Sequence, residues 1–149
     1  MLLMIGATNY SAGNLCEKKL QTYKYRNEVI VMPNIGSEAL ATVTAAAYAF
    51  IYTALLDSYY TNVINAMQCS VPVIVNNSLL MHEVCDDAAL FTEPGVFENI
   101  ADKMMLVFKD ETLRNVLVTK SSLTAANFDS AKANDMLWQT IEKCTSLKD

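Results

Sequence analysis

The sequence predicts an α/β fold built on a parallel sheet, and three features carry that prediction. Five short apolar runs rich in β-branched residues recur along the chain: Leu2–Ile5, Val29–Met32, Ala49–Thr53, Val71–Val75 and Ala88–Phe91. Helical patterns separate them, and beyond Pro94-Gly95 the apolar period becomes that of helices alone. A short continuous apolar run is what a strand covered on both faces looks like.

Each element has a local reason. A helix over roughly Leu15–Tyr23 separates the first two strands. Ser37 supplies a cap for a helix reaching about Ala47, with Glu38 in its first turn, where the helix dipole favours a carboxylate. A polar loop then leads from the third strand into a short helix, Asn62–Cys69. Pro72 falls at the start of the fourth strand, where its missing N–H matters little. Leu79–Val84 forms a further helical turn.

Three amphipathic helices follow. Ile100, Met104, Leu106, Val107 and Phe108 mark the first. Leu113, Val116, Leu117 and Leu123 mark the second, started by Asp110-Glu111-Thr112. Met136, Leu137, Trp138 and Ile141 mark the third, over Asp129–Ser146. No repeat, low-complexity stretch or long linker interrupts the pattern, and 149 residues suit one domain.

Composition narrows the function. A net charge of −5 argues against nucleic acid or an anionic membrane as the main partner. An apolar content of 52% implies a sheet covered on both faces, or apolar surface that meets something else. No apolar run reaches the roughly 18 residues of a membrane span, and Met1–Ile5 is too short and uncharged to read as a signal peptide. Cys16, Cys69, Cys85 and Cys144 share no metal-like spacing and read as buried, reduced thiols of a cytoplasmic protein. All eleven Lys and Arg lie at or before Arg26, or at or after Lys103, so Asn27–Asp102 holds nine carboxylates and no cationic Lys or Arg.

Few residues suggest chemistry directly. With one histidine, His82, no Ser-His-Asp or Cys-His system is assembled, and beside Glu83 on a helical turn it reads as a surface residue. No Cys, His and Asp cluster has metal-ligand spacing. The loop from Gly6 to Gly13 follows a strand and precedes a helix, which makes Gly6 a phosphate-loop candidate. It matches neither G-x-G-x-x-G nor a Walker pattern and lacks the lysine, so a plain strand-to-helix connection is the better reading. Leu56–Met67 is more distinctive. It leaves the third strand, passes through Asp57, Ser58, Tyr59 and Tyr60, and enters a helix near Thr61-Asn62. Open α/β sheets bind ligands at that place, where helix N-terminal amides aim at an anion.

At this loop a resemblance emerges. Ile64-Asn65-Ala66-Met67-Gln68-Cys69-Ser70-Val71-Pro72-Val73-Ile74-Val75 resembles the "LEAMACGVPVI" signature of retaining GT-B glycosyltransferases of the group 1, or family 4, type. Asn77–Phe91 continues it, similar to "NSSLPEVAGDAALF". Glu93-Pro94-Gly95, Ile100-Ala101-Asp102, Lys109–Arg114 and Ala126–Asp129 keep the pattern, and Leu2–Ala54 is in register with it. The resemblance implies a three-layer, Rossmann-like domain, half of a GT-B fold. Its parallel sheet would have five strands in the order 2-1-3-4-5, with C-terminal helices. It also implies that residues 1–149 form the donor-binding domain without its first strand and helix, and without the acceptor-binding N-terminal domain.

The family's donor site carries E-G-F-G-x-x-x-x-E. The first Glu binds sugar hydroxyls, the loop amides hold sugar and diphosphate, and the last Glu binds the ribose. Here the corresponding residues are Asp57, Ser58, Tyr59, Tyr60 and Asn65: the spacing is kept and all five side chains differ. Asp57 is one methylene short, and an error near 1 Å costs about a hundredfold in rate. Asn65 still hydrogen-bonds a ribose, without the strength of a charged acceptor. Tyr60 brings a Cβ where a glycine lets backbone approach a ligand. Met32 and Pro33 correspond to backbone that lies against the base.

The resemblance therefore implies a nucleotide-sugar-dependent hexosyltransferase, represented by its donor half and taking a UDP-, GDP- or ADP-sugar without a metal or other cofactor. The missing N-terminal domain or a partner chain would complete it, and the isolated chain is expected to form a homo-oligomer. The alternative is a degenerate, non-catalytic module that binds a partner subunit. A receiver-like reading is disfavoured, because no pair of aspartates clusters near the first strand.

Overall fold

Two parallel strands open the chain in the computed structural model, which describes residues 1–6, 18–32, 35–54 and 60–146. β1 (Leu2–Ile5) pairs with β2 (Val29–Met32) in the register Leu2↔Val29 through Ile5↔Met32. Both strands have the bounds expected from sequence. Helical residues 18–21 and a 3-10 turn at Arg26–Glu28 lead into β2. These strands belong to the first of two units, Met1–Val43 and Thr44–Asp149. Their side chains are less covered than the apolar runs predict: Leu2, Ile5 and Ile30 are all exposed. The reason is that, among the described residues, the buried apolar core lies wholly in the second unit.

The unit boundary falls within α1 (Ser37–Ala45). Ser37 is its first helical residue, not its cap, and the Leu40 amide donates to the Gly36 carbonyl one residue earlier.

In the second unit β3 (Phe50–Tyr52), β4 (Val73–Asn76) and β5 (Ala89–Thr92) form a parallel sheet in the order β3-β4-β5. The described strands thus form two sheets, of two and of three strands, where the sequence led to one of five. β4 is central and every residue of it is buried. Its side chains alternate between two clusters. Val73 and Val75 join Val63 and Met67 of α2 (Thr61–Gln68) and Met81 of α3 (Leu79–Cys85). Ile74 joins Val107 of α4 (Phe97–Lys109) and Leu117 of α5 (Glu111–Ala125). Helices on both faces of β4 explain the continuous apolar run Val73-Ile74-Val75, which ends at the buried Asn76.

Local signals set the helix ends. Ser78 Oγ caps α3 by accepting from the Met81 amide at 3.3 Å. Asp110 caps α5, accepting from Leu113 at 2.8 Å. Asp129 precedes α6 (Ser130–Ser146) and accepts from Ala131 at 2.9 Å. Ser121, buried on α5, donates to the Ala88 carbonyl at 3.2 Å, and Lys120 pairs with Asp87 beside it. Together they tie α5 to the turn before β5.

Two expectations need correction. The five apolar residues that mark α4 do not form its inner face: Val107 is buried and Ile100 half-buried, whereas Met104, Leu106 and Phe108 are exposed. By contrast, α6 buries no residue, and its exposed Met136, Leu137, Trp138 and Ile141 are the kind of apolar surface that the composition left to meet something else. The cysteines divide as well. Cys85 is fully buried, but Cys69, just past the end of α2, and Cys144, on α6, are exposed, and Cys16 lies outside the described residues. Among the described residues no helix is long and apolar enough to cross a membrane.

Candidate functional site

α2 is amphipathic over its whole length. Val63, Ile64, Ala66 and Met67 are buried, while Thr61, Asn65 and Gln68 are exposed. The i, i+4, i+7 spacing of the exposed three puts them on one face. Tyr60 precedes the helix with φ −63° and ψ −12°, and its carbonyl accepts from the amides of Val63 at 2.9 Å and Ile64 at 3.1 Å. The amides of Thr61 and Asn62 come before the first intrahelical donor, the Val63 amide, and belong to the helix end, which carries about half a positive charge. So the structure brings Tyr60, Thr61, Asn62 and Asn65 to one end and one helix. Asp57, Ser58 and Tyr59 lie outside the described residues.

The approach to this loop is anchored by a residue the sequence reading passed over. Asn76, buried at the end of β4, donates from Nδ2 to the carbonyl of Ala54 at 2.6 Å. Around it runs a polar rim on the same end of the sheet. The Asn77 amide donates to the Thr92 carbonyl at 2.8 Å. Asn77 Nδ2 donates to Glu93 Oε1 at 2.8 Å, and its Oδ1 lies 2.7 Å from His82 Nε2. The His82 ring stacks on Phe91 with centroids 3.9 Å apart. His82 is exposed, as its sequence context suggested, but Asn77 and Phe91 hold it in place. An Asn pair closing the apolar run Val73-Ile74-Val75 was the available signal, because a buried amide demands partners.

The electrostatics at this end follow from the chain segment. No Lys or Arg lies between Asn27 and Asp102, so the helix terminus is the positive element that the segment itself supplies. Cys85 is no nucleophile: burial pushes its thiol up to about 12. A concavity of about 440 Å³ lies at the other end of α2, against Gln68, Ser122, Ala126 and Phe128, away from Thr61. It is separate from the candidate loop.

In the first unit, Gly6 follows β1 with φ +81°, a conformation that glycine adopts without strain. Its amide donates to the Met32 carbonyl at 3.2 Å, so these two predicted residues are neighbours. Met32 is half-buried at the end of β2, and Pro33 lies outside the described residues.

Residues 1–122 match the family described as glycosyl transferases group 1. The chain belongs to that family. This group 1 chain is similar to the O-antigen chain mannosyltransferase B of Escherichia coli, with 27% identity over 94 residues. That stretch is 63% of this chain and 25% of the relative, so the chain spans about a quarter of the curated protein it matches. Among solved structures it is similar to a sucrose-phosphate synthase from Thermosynechococcus elongatus, with a TM-score of 0.83 at 17% identity. The likeness covers 99% of this chain and 39% of that one. The catalytic domain of cholesterol-alpha-glucosyltransferase from Helicobacter pylori aligns with a TM-score of 0.64 at 13% identity, over 86% of this chain and 99% of that one. At these identities the likeness is one of fold, that of a GT-B glycosyltransferase domain.

Proposed function

We propose that this chain is the donor-binding part of a retaining, nucleotide-sugar-dependent hexosyltransferase. The observation that carries this reading is the placing of Thr61 and Asn65 on the exposed face of α2, in a chain of the group 1 family. Amides at Tyr60–Asn62, with Asp57, Ser58 and Tyr59 ahead of them, would face the sugar and diphosphate. Asn65, one turn further on, would hydrogen-bond the ribose.

Within the first unit, Met32 and Pro33 as the backbone against the base, and Gly6 as part of a phosphate loop, belong to the same proposal. So do the five-strand order 2-1-3-4-5, a cytoplasmic location, and the absence of a metal or other cofactor. A further domain or partner chain supplies the acceptor site and the cations in this reading.

Binding by this chain alone is weak. A diphosphate brings about two negative charges, and a helix terminus contributes only about 0.3–1 kcal/mol. Micromolar affinity needs roughly 8 kcal/mol. Calorimetric titration with UDP-, GDP- and ADP-sugars, alongside hydrolysis assays, tests the reading. The expected result is millimolar, saturable binding of one of them, weakened by Asn65→Ala, with no turnover. Failure of all three to bind would favour the non-catalytic, partner-binding alternative, which the cation-free segment and the exposed face of α6 also support.

A further inference from the structure

Helix α4 turns an apolar seam to solvent. Phe97, Ala101, Met104 and Phe108 are all exposed, Phe97 to 77% and Phe108 to 71%. Their spacing, i, i+4, i+7 and i+11, is that of one seam in a helix pair. Single exposed apolar residues are ordinary, but a seam running the length of a 13-residue helix is not. Phe108 is also held in place. The Tyr48 ring meets it edge-on at 6.3 Å, and the Arg114 guanidinium covers Tyr48 at 4.4 Å. An anchor fixed beforehand gives up less freedom on binding.

The charges on α4 select the partner. Glu98 lies in the first turn and Lys109 in the last, both exposed. At 1.5 Å and 100° per residue they stand about 16 Å apart along the axis and about 20° apart around it. They therefore occupy the same flank of the seam. In an antiparallel pair of identical helices, like flanks face each other, whereas in a parallel pair they diverge. Placing Phe97 opposite Phe108 of a second copy puts Ala101 opposite Met104. The same register brings each Glu98 within about 3 Å, along the axis, of the other copy's Lys109.

We propose that two copies of this chain associate through α4, antiparallel about a two-fold axis, with Phe97 and Phe108 as anchors and Glu98 and Lys109 as paired flanking charges. The proposal is independent of the donor-site reading. A contact along one helix of about 20 Å buries less than the ~1,200 Å² of a standard interface, so the dimer is weak and concentration-dependent.

Sedimentation equilibrium over roughly 10 μM to 1 mM, a range that brackets millimolar to micromolar constants, tests it. The wild-type chain is expected to dimerise within that range, and Phe108→Ser or Met104→Lys to remain monomeric. Glu98→Lys and Lys109→Glu each place like charges across the axis and weaken the dimer by about tenfold or more. The combined E98K/K109E variant restores the opposite pairing and recovers most of the wild-type constant. Circular dichroism melting checks that each variant is folded, since both charge changes oppose the helix dipole. A monomer at every concentration would overturn the proposal. So would a combined variant no stronger than its parents, or a dimer lost with Trp138→Ser in α6 and untouched by the α4 changes.

Discussion

The side-chain amide of Asn76 donates to the carbonyl of Ala54 at 2.6 Å, joining the end of β4 to the chain leaving β3. Asn76 is buried, so the bond forms away from water. It fixes the last described residue before the loop that contains Asp57.

Replacing Asn76 with leucine leaves the Ala54 carbonyl without this donor. The expected cost is about 1–3 kcal/mol for an orphaned buried acceptor. At about 2–4 °C per kcal/mol for a domain of this size, thermal unfolding reads it directly. Donor binding should weaken more than stability alone predicts, because the loop loses its anchor. A variant that melts early but binds normally would separate the anchor from the site.

Among the described residues, two that are not glycine occupy backbone conformations that suit it. Ser70, after α2, has φ +59°, and Asp86, after α3, has φ +48° with ψ −123°. The family signatures have glycine at both positions. Asp86→Gly is expected to raise stability by about 1 kcal/mol, through relief of the left-handed backbone. Ser70→Gly should yield much less, because Ser70 Oγ lies 2.9 Å from Ser122 Oγ and that hydrogen bond is lost. Melting the two variants side by side checks the ranking, and a larger gain from Ser70→Gly would refute it.

Cys85 makes alkaline stability sensitive to its thiol. Its pKa is pushed up to about 12 in the folded chain by burial, from an ordinary value of 9.0. The unfolded chain therefore releases the proton first as pH rises. Stability is fully present below pH 9 and is lost as pH climbs toward 12, by up to about 1.4 kcal/mol per pH unit from this group. Urea unfolding between pH 8 and pH 10.5, on wild type and Cys85→Ala, should show the steeper fall in the wild type. Parallel slopes would show that the thiol does not contribute.

Much of the fold was legible because local physics decides it. Leu2–Ile5 and Val29–Met32 are strands with the bounds their apolar runs announce, and Ser130–Ser146 is a helix because Asp129 starts it and the period is helical. That a helix follows the third strand was legible too, from the polar stretch that ends in the apolar pattern of Val63, Ile64, Ala66 and Met67.

What a one-dimensional pattern does not contain is which apolar face meets the core. α4 carries apolar residues on more than one side. Val107 goes inward, and Met104 and Phe108 stay in solvent, a choice made by contact with β4, β5 and α5. Long-range hydrogen bonds are equally invisible beforehand: Asn76 to Ala54 spans 22 residues, and Ser121 to Ala88 spans 33. Sequence alone settled the periods, the capping aspartates Asp110 and Asp129, and the family, because each depends on neighbours along the chain. Burial, the polar rim around Asn77 and the exposed seam of α4 were decided only in three dimensions, where residues far apart in sequence compete for the same space.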